Sequence, residues 1–191
     1  MTLKEMKEKT YRLIEELSED TAKQLTDDPD YEKKVNTCIS IIQNELARLK
    51  KIPAKLEYDL KTGLEYTMPD DMYQVAKVVG SRYTQIGKWI IFEPSEEEKV
   101  TIYYYKYPKE ITEETNDDEY KFELTQDCLE IMPFGIAGDM LKTDVSTNYG
   151  AYFSNRYNEL KQRLDPRLNS GSMYIDTEAI YEWDWTGKEN L

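Results

Sequence analysis

The chain has 191 residues, a formal net charge of −13, no histidine, and an apolar share of 39% in which Tyr alone supplies 16 residues. That length fits one domain, or one domain with an appendage. The acidity excludes the electrostatic footprint of a nucleic-acid binder and of a protein lying on anionic membrane, and the missing histidines remove the commonest general base and metal ligand.

The first apolar stripe is Leu3, Met6, Thr10, Leu13 and Leu17, widened by Ile14, and its three- and four-residue steps predict a helix over 3–18. The next, over 29–51, has Asp28 as cap, Pro29 in the first turn, and Tyr31, Val35, Cys38, Ile39, Ile42, Leu46 and Leu49 on its apolar face. Pro53 stops it. Leu56, Tyr58 and Leu60 then alternate with charged residues before Thr62-Gly63, a hairpin signature. "MYQVAKVVG", "KWIIFE" and "KVTIYYYKYP" read as further short strands. Acidic loops lie between and after them, with ten acidic residues against three lysines from Glu93 to Glu119.

A helix over 125–143 follows, with Thr125 as cap, Leu129, Met132, Ile136 and Met140 on one face, and Pro133 expected to kink it. Another, over 145–164, has Asp144 as cap and the stripe Tyr149, Phe153, Tyr157, Leu160, Leu164. The short link predicts an antiparallel pair. These readings give an α+β fold, mainly helical: N-terminal helices and a C-terminal antiparallel helix pair around a small β-strand region, with strands between 55 and 107. The domain covers 1–165, and 166–191 is an extended aromatic tail opened by the linker-like "NSGS". With Tyr set aside and Gly counted, the apolar share is about 35%, below the ~45–50% of typical domains. An elongated body, or one completed by neighbouring subunits, is therefore expected.

Sites for chemistry are few. Cys38 and Cys128 are expected to be buried free thiols, although one disulfide is formally possible, and two isolated cysteines make no zinc site. There is no glycine-rich phosphate loop, and "DDEYKFELTQD" lacks the central Gly and ligand spacing of a calcium loop. Abundant carboxylate pairs read as solvated charge. No cofactor and no catalytic set is expected. "MTLKEMKEKT" is too charged for a signal peptide, and no apolar run approaches the ~20 residues of a membrane span.

The aromatic residues stand out. In a strand, Tyr103, Tyr105 and Tyr107 share one side, and Ile102, Tyr104 and Lys106 the other. Apolar bulk on both sides predicts a strand covered twice, by helices or by a neighbouring subunit, and Tyr suits a wet interface. A base-stacking platform needs flanking positive charge, and along the chain the flanks are acidic. In the tail, Tyr181, Trp183 and Trp185 alternate with Glu182 and Asp184. This tail either folds back on its own domain or, with Tyr174 and Ile175, forms a candidate partner interface that docks by adding to a sheet edge or filling a groove.

The N-terminal helices, "YTMPDDMYQVAKVVG", a strand pair ending "YYYKYPKEIT", the acidic link "EETNDDEYKFELTQD" and two closing helices follow one another in an order that resembles the head–tail connector, or adaptor, proteins of tailed bacteriophages. "MPDDMYQVAKVV" is similar to their Pro-Asp-Asp-aromatic segment before a strand, and "YKYPKEIT" with the following helical pair is similar to their second half. The resemblance covers residues from about 5 to 165; the acidic middle and the aromatic tail depart from it. It implies a homo-oligomeric ring of about a dozen copies beneath the portal protein, in the neck of the virion, assembled in the host cytoplasm. Such a ring extends the DNA channel, binds no specific sequence and no membrane, and offers a platform to the downstream neck or tail protein. A stopper or tail-completion protein is the alternative, and a non-catalytic carbohydrate-binding module is a more distant one.

Overall fold

The structure, a computed structural model, describes residues 1–19, 25–95, 97–143 and 148–164. The predicted tail, 166–191, and the predicted cap Asp144 lie outside the described residues. Among these residues are four α-helices, α1 (Leu3–Leu13), α2 (Pro29–Lys50), α3 (Gln126–Met140) and α4 (Tyr149–Leu164). Six strands lie between α2 and α3: β1 (Ile52–Asp59), β2 (Glu65–Thr67), β3 (Met72–Val79), β4 (Tyr83–Ile86), β5 (Trp89–Phe92) and β6 (Lys99–Lys106). With about 45% helix and 24% strand among the described residues, the fold is a mixed α+β fold, and the expectation of a mainly helical one is corrected.

The fold departs from the expectation at two places. The first helix ends at Leu13, five residues before the expected 18, because Glu15 takes a left-handed backbone (φ 62°). The amides of Glu15 and Glu16 then donate back to the carbonyls of Arg12 and Tyr11, at 3.4 and 2.9 Å, which closes the helix in a Schellman turn. No glycine marks that stop. Second, β1 and β2 do not form the expected hairpin. β1 pairs along its whole length with β6, from Ile52 opposite Lys106 to Asp59 opposite Lys99, while β2 pairs with β5. The intervening Leu60–Thr62 is one 3₁₀ turn, capped where the Asp59 carboxylate accepts from the Lys61 amide at 2.8 Å. Alternation identifies a strand and its two sides, not its partner.

The helices make one body. α3 is buried nearly all round, because α1, α2 and α4 surround it. Met132, Ile136 and Ala137 are 0% exposed, and Pro133 lies within the helix without ending it. Close approach of α4 needs glycine: a Cβ on Gly138 would stand 2.5 Å from Ser154 Oγ and 3.0 Å from its amide. α1 starts with the capping box of Thr2 and Glu5, and it joins the body through the Leu3 amide, which donates to the Tyr120 carbonyl at 3.1 Å, and through Lys7, whose ammonium lies 2.7 Å from the Asp117 carboxylate. Cys38 and Cys128 are buried and free in this core.

The strands make a second unit of two three-stranded antiparallel sheets, β1-β6-β3 and β2-β5-β4. Their inner faces share a small core: Leu56, Tyr58, Val100, Ile102, Tyr104, Met72 and Val78 from the first sheet meet Tyr66, Ile90 and Phe92 of the second. Tyr58 sits at its centre, with ring centroids 4.8 Å from Tyr66 and 5.7 Å from Phe92. Polar links tie the two units together. Lys106 at the end of β6 lies 2.6 Å from Glu123, and buried Gln43 of α2 donates to the Lys109 carbonyl at 2.9 Å. The Tyr120 hydroxyl lies 3.0 Å from Gln43 Oε1 and 2.8 Å from that same carbonyl.

Candidate interaction surface

A three-stranded sheet stacked on one other sheet has one side left over. In the first sheet that side is built around β6. Val100, Ile102 and Tyr104 point into the core, so Thr101, Tyr103 and Tyr105 point away. Tyr103 is 42% exposed, and Tyr107, just past the strand, 37%. Register places Lys55 of β1 and Lys77 of β3 opposite Tyr103, one on each side. Tyr73 of β3 lies near Tyr105 at 6.3 Å with rings 27° apart, and near Tyr107 at 5.1 Å and 44°. Burial raises the Tyr73 phenol above its ordinary pKa, helped by Tyr105 and Tyr107, and its buried hydroxyl has no hydrogen-bond partner among the described residues.

Lys51 completes this face. It is the single residue between α2 and β1, and it turns the chain with φ 41°, in the left-handed region. Its ammonium stands 4.6 Å from the centre of the Tyr105 ring and 3.2 Å from Gln74 Oε1. Lys55 is paired at 2.9 Å with Glu57, which holds the Lys55 pKa up and the Glu57 pKa down. Lys99 lies opposite Asp59 at the far end of the same face. Four lysines thus face two carboxylates around a row of tyrosines.

The outer side of the second sheet is apolar in a different way. Ile90 and Phe92 are buried, so Trp89 and Ile91 point out, at 48% and 38% exposure, with Ile86 of β4 opposite Trp89 at 55%. Thr84, Thr67 and Glu65 rim them by register. On the helical body, Tyr149 and Tyr152 of α4 are also exposed. The predicted α4 stripe is correct for Phe153 and Tyr157, which are buried, and for Leu160 and Leu164, which pack against the core, but Tyr149 falls off it.

Of the sequence-predicted site residues, Tyr103, Tyr105 and Tyr107 come to the open side of one sheet, where Tyr73 joins two of them. Tyr174, Ile175, Tyr181, Trp183 and Trp185 lie outside the described residues. Sequence reasoning missed Lys51, Lys55, Lys77 and Tyr73, because they come from other parts of the chain. Along the chain glutamates lie beyond Lys99 and Lys106 on either side of the tyrosines; across the sheet the neighbours of Tyr103 are Lys55 and Lys77. The alternation of Leu56 and Tyr58 against Lys55 and Glu57 held the only available signal. It placed those charges on one side of a strand, without saying which strand lies next to it.

Among the described residues there is no cluster of potential metal ligands and no helix long and apolar enough to cross a membrane. The Cys38 thiol is pushed up to about 11, chiefly by burial and then by Asp139, so it is protonated at neutral pH. No protein-family model matches the chain, and no curated protein matches it.

Proposed function

We propose that this chain is a head–tail connector, or adaptor, of a tailed bacteriophage: one subunit of a ring of about a dozen copies beneath the portal. The ring extends the DNA channel and receives the neck or tail on its far side. The observation that carries this reading is the pair of uncovered sheet faces, Tyr103, Tyr105 and Tyr107 with Tyr73 on one and Ile86, Trp89 and Ile91 on the other. Large aromatic groups on an otherwise charged surface mark places that partners cover. The order of elements, from the N-terminal helices through "MPDDMYQVAKVV" and "YYYKYPKEIT" to the α3–α4 pair, supports it further. A net charge of −13 suits a channel wall past which DNA slides without sticking.

In this reading no residue is catalytic. The tail residues Tyr174, Ile175, Tyr181, Trp183 and Trp185 and the sheet tyrosines form the interface to the portal or to an adjacent copy. The test is the mass of the purified chain by light scattering, alone and with the candidate portal, with electron microscopy of any large species. Rings are expected, and deletion of residues 171–191 is expected to abolish docking while leaving the domain folded. A chain that stays monomeric under both conditions overturns the reading.

A further inference from the structure

The geometry points to one occupant for the Tyr/Lys face: we infer that it receives the acidic aromatic segment Tyr174–Trp185 of an adjacent copy. Each chain would then carry both halves of a head-to-tail contact. The inference rests on the ring reading, because a ring closed by a head-to-tail interface needs two unlike, complementary surfaces on every subunit.

Chemical complementarity is the first argument. In a chain with net charge −13, the open side of the first sheet is locally positive, with Lys51, Lys55, Lys77 and Lys99 against Glu57 and Asp59. Its tyrosines offer ring faces, and Lys51 already sits over one of them. The segment "YIDTEAIYEWDW" carries the opposite set: Asp176, Glu178, Glu182 and Asp184, no basic residue, and the aromatics Tyr174, Tyr181, Trp183 and Trp185. Carboxylates answer the lysines that flank the tyrosine row, and the rings answer the tyrosines. Such steering falls off when salt screens it.

Placement is the second. α4 runs antiparallel to α3, with Gly150 beside Leu141 and Gly138 beside Ser154. α3 in turn begins where α2 ends, its Asp127 carboxylate 3.6 Å from the Lys50 ammonium. Leu164 therefore leaves the helical body at the end where α2 passes through Lys51 into β1. From there the nine residues 165–173 can span at most ~30 Å.

The third argument is Lys51 itself. A non-glycine residue with φ 41° is an unfavourable backbone at the turn from helix to strand. Glycine would relieve it but would remove the ammonium from the tyrosine face.

The experiment uses the full chain as an equal mixture of ¹⁵N-labelled and unlabelled protein, treated with a carbodiimide that joins lysines to carboxylates. Cross-linked peptides are mapped by mass spectrometry, and the mass of the same sample is read by light scattering. The expected result is mixed-isotope pairs joining Lys51, Lys55 or Lys77 to Asp176, Glu178, Glu182 or Asp184, in a sample heavier than a monomer. The double variant Lys55→Glu/Lys77→Glu, both exposed side chains, lowers the yield of Lys51 pairs about tenfold, and 1 M salt does the same. Should either charge reversal disturb the sheet, as read by circular dichroism, Lys55→Gln/Lys77→Gln replaces it. Face–tail pairs of a single isotope only would mean that the segment folds back on its own sheet, and overturn the inference. Ring-sized mass without any face–tail pair would also overturn it while the ring reading stands; a monomer without such pairs would remove both.

Discussion

The helical body hides its apolar side chains on every side of α3, whereas the β unit hides only one side of each sheet. Three helices wrap α3, so Cys128, Leu129, Met132, Ile136 and Met140 all find partners within the chain. Two sheets stacked on one another enclose a single layer, Ile90, Phe92, Val100, Ile102 and Tyr104, and leave two outer faces. An antiparallel sheet ordinarily gives its outer face polar residues. Here those faces keep Trp89, Ile86 and Ile91 on one side and the tyrosines on the other. The helical body closes around α3, although Tyr149 and Tyr152 of α4 stay exposed, and the β unit leaves one face of each sheet open.

That contrast can be broken by substitution. Ile136→Ala, at a fully buried position in α3, should cost about 2–5 kcal/mol in denaturant unfolding, from lost transfer energy and the cavity it leaves. A loss below 1 kcal/mol would mean that the helical body is loosely packed and the contrast false.

Alkaline pH probes the same core. The Cys38 thiol rises from an ordinary 9.0 to about 11, and burial raises the phenols of Tyr11 and Tyr157 as well. Between pH 9 and 11 the unfolded chain releases the Cys38 proton while the folded chain holds it, so stability is fully present below 9 and falls as pH rises. Denaturant midpoints at pH 7, 9 and 11 should fall in that order, and Cys38→Val should flatten the trend. Equal midpoints at all three values would show that the thiol is not shielded.

At the end of α1, Glu15→Gly removes the left-handed penalty of a side chain at φ 62° and should stabilise by about 1 kcal/mol, read as a raised midpoint. The smallest stability effect belongs to the β unit. Trp89→Ser, at a 48% exposed side chain, should move stability by less than about 0.5 kcal/mol, yet reduce the mass of the assembly. A large loss of stability from this change would place Trp89 in the chain's own core and end the distinction between the two units.

Much of the helical body was legible in the sequence. α2 spans Pro29–Lys50, and its Asp28 cap accepts from the Asp30 amide at 2.8 Å, because capping is a local interaction between near neighbours. The end of α1 was not legible: Glu15 supplies a left-handed backbone usually marked by glycine. Gln43 was not legible either, since its partners Lys109 and Tyr120 lie far along the chain. The candidate surface was half legible. Period-two alternation separated Tyr103 and Tyr105 from Ile102 and Tyr104, and the core confirms that division.

By itself, then, the amino-acid sequence determined the sides of β6, the apolar face and capped start of α2, and the acidity of the whole. These depend on spacing and side-chain type within a few residues. Tertiary structure alone decided that β1 and β3 flank β6, that Lys51, Lys55 and Lys77 surround its tyrosines, and that two sheet faces stay open. Strand partners are chosen by the packing of distant segments, here Tyr58 against Phe92 and Tyr66. A run of residues carries its own periodicity but no record of which strand lies 4.7–4.9 Å away.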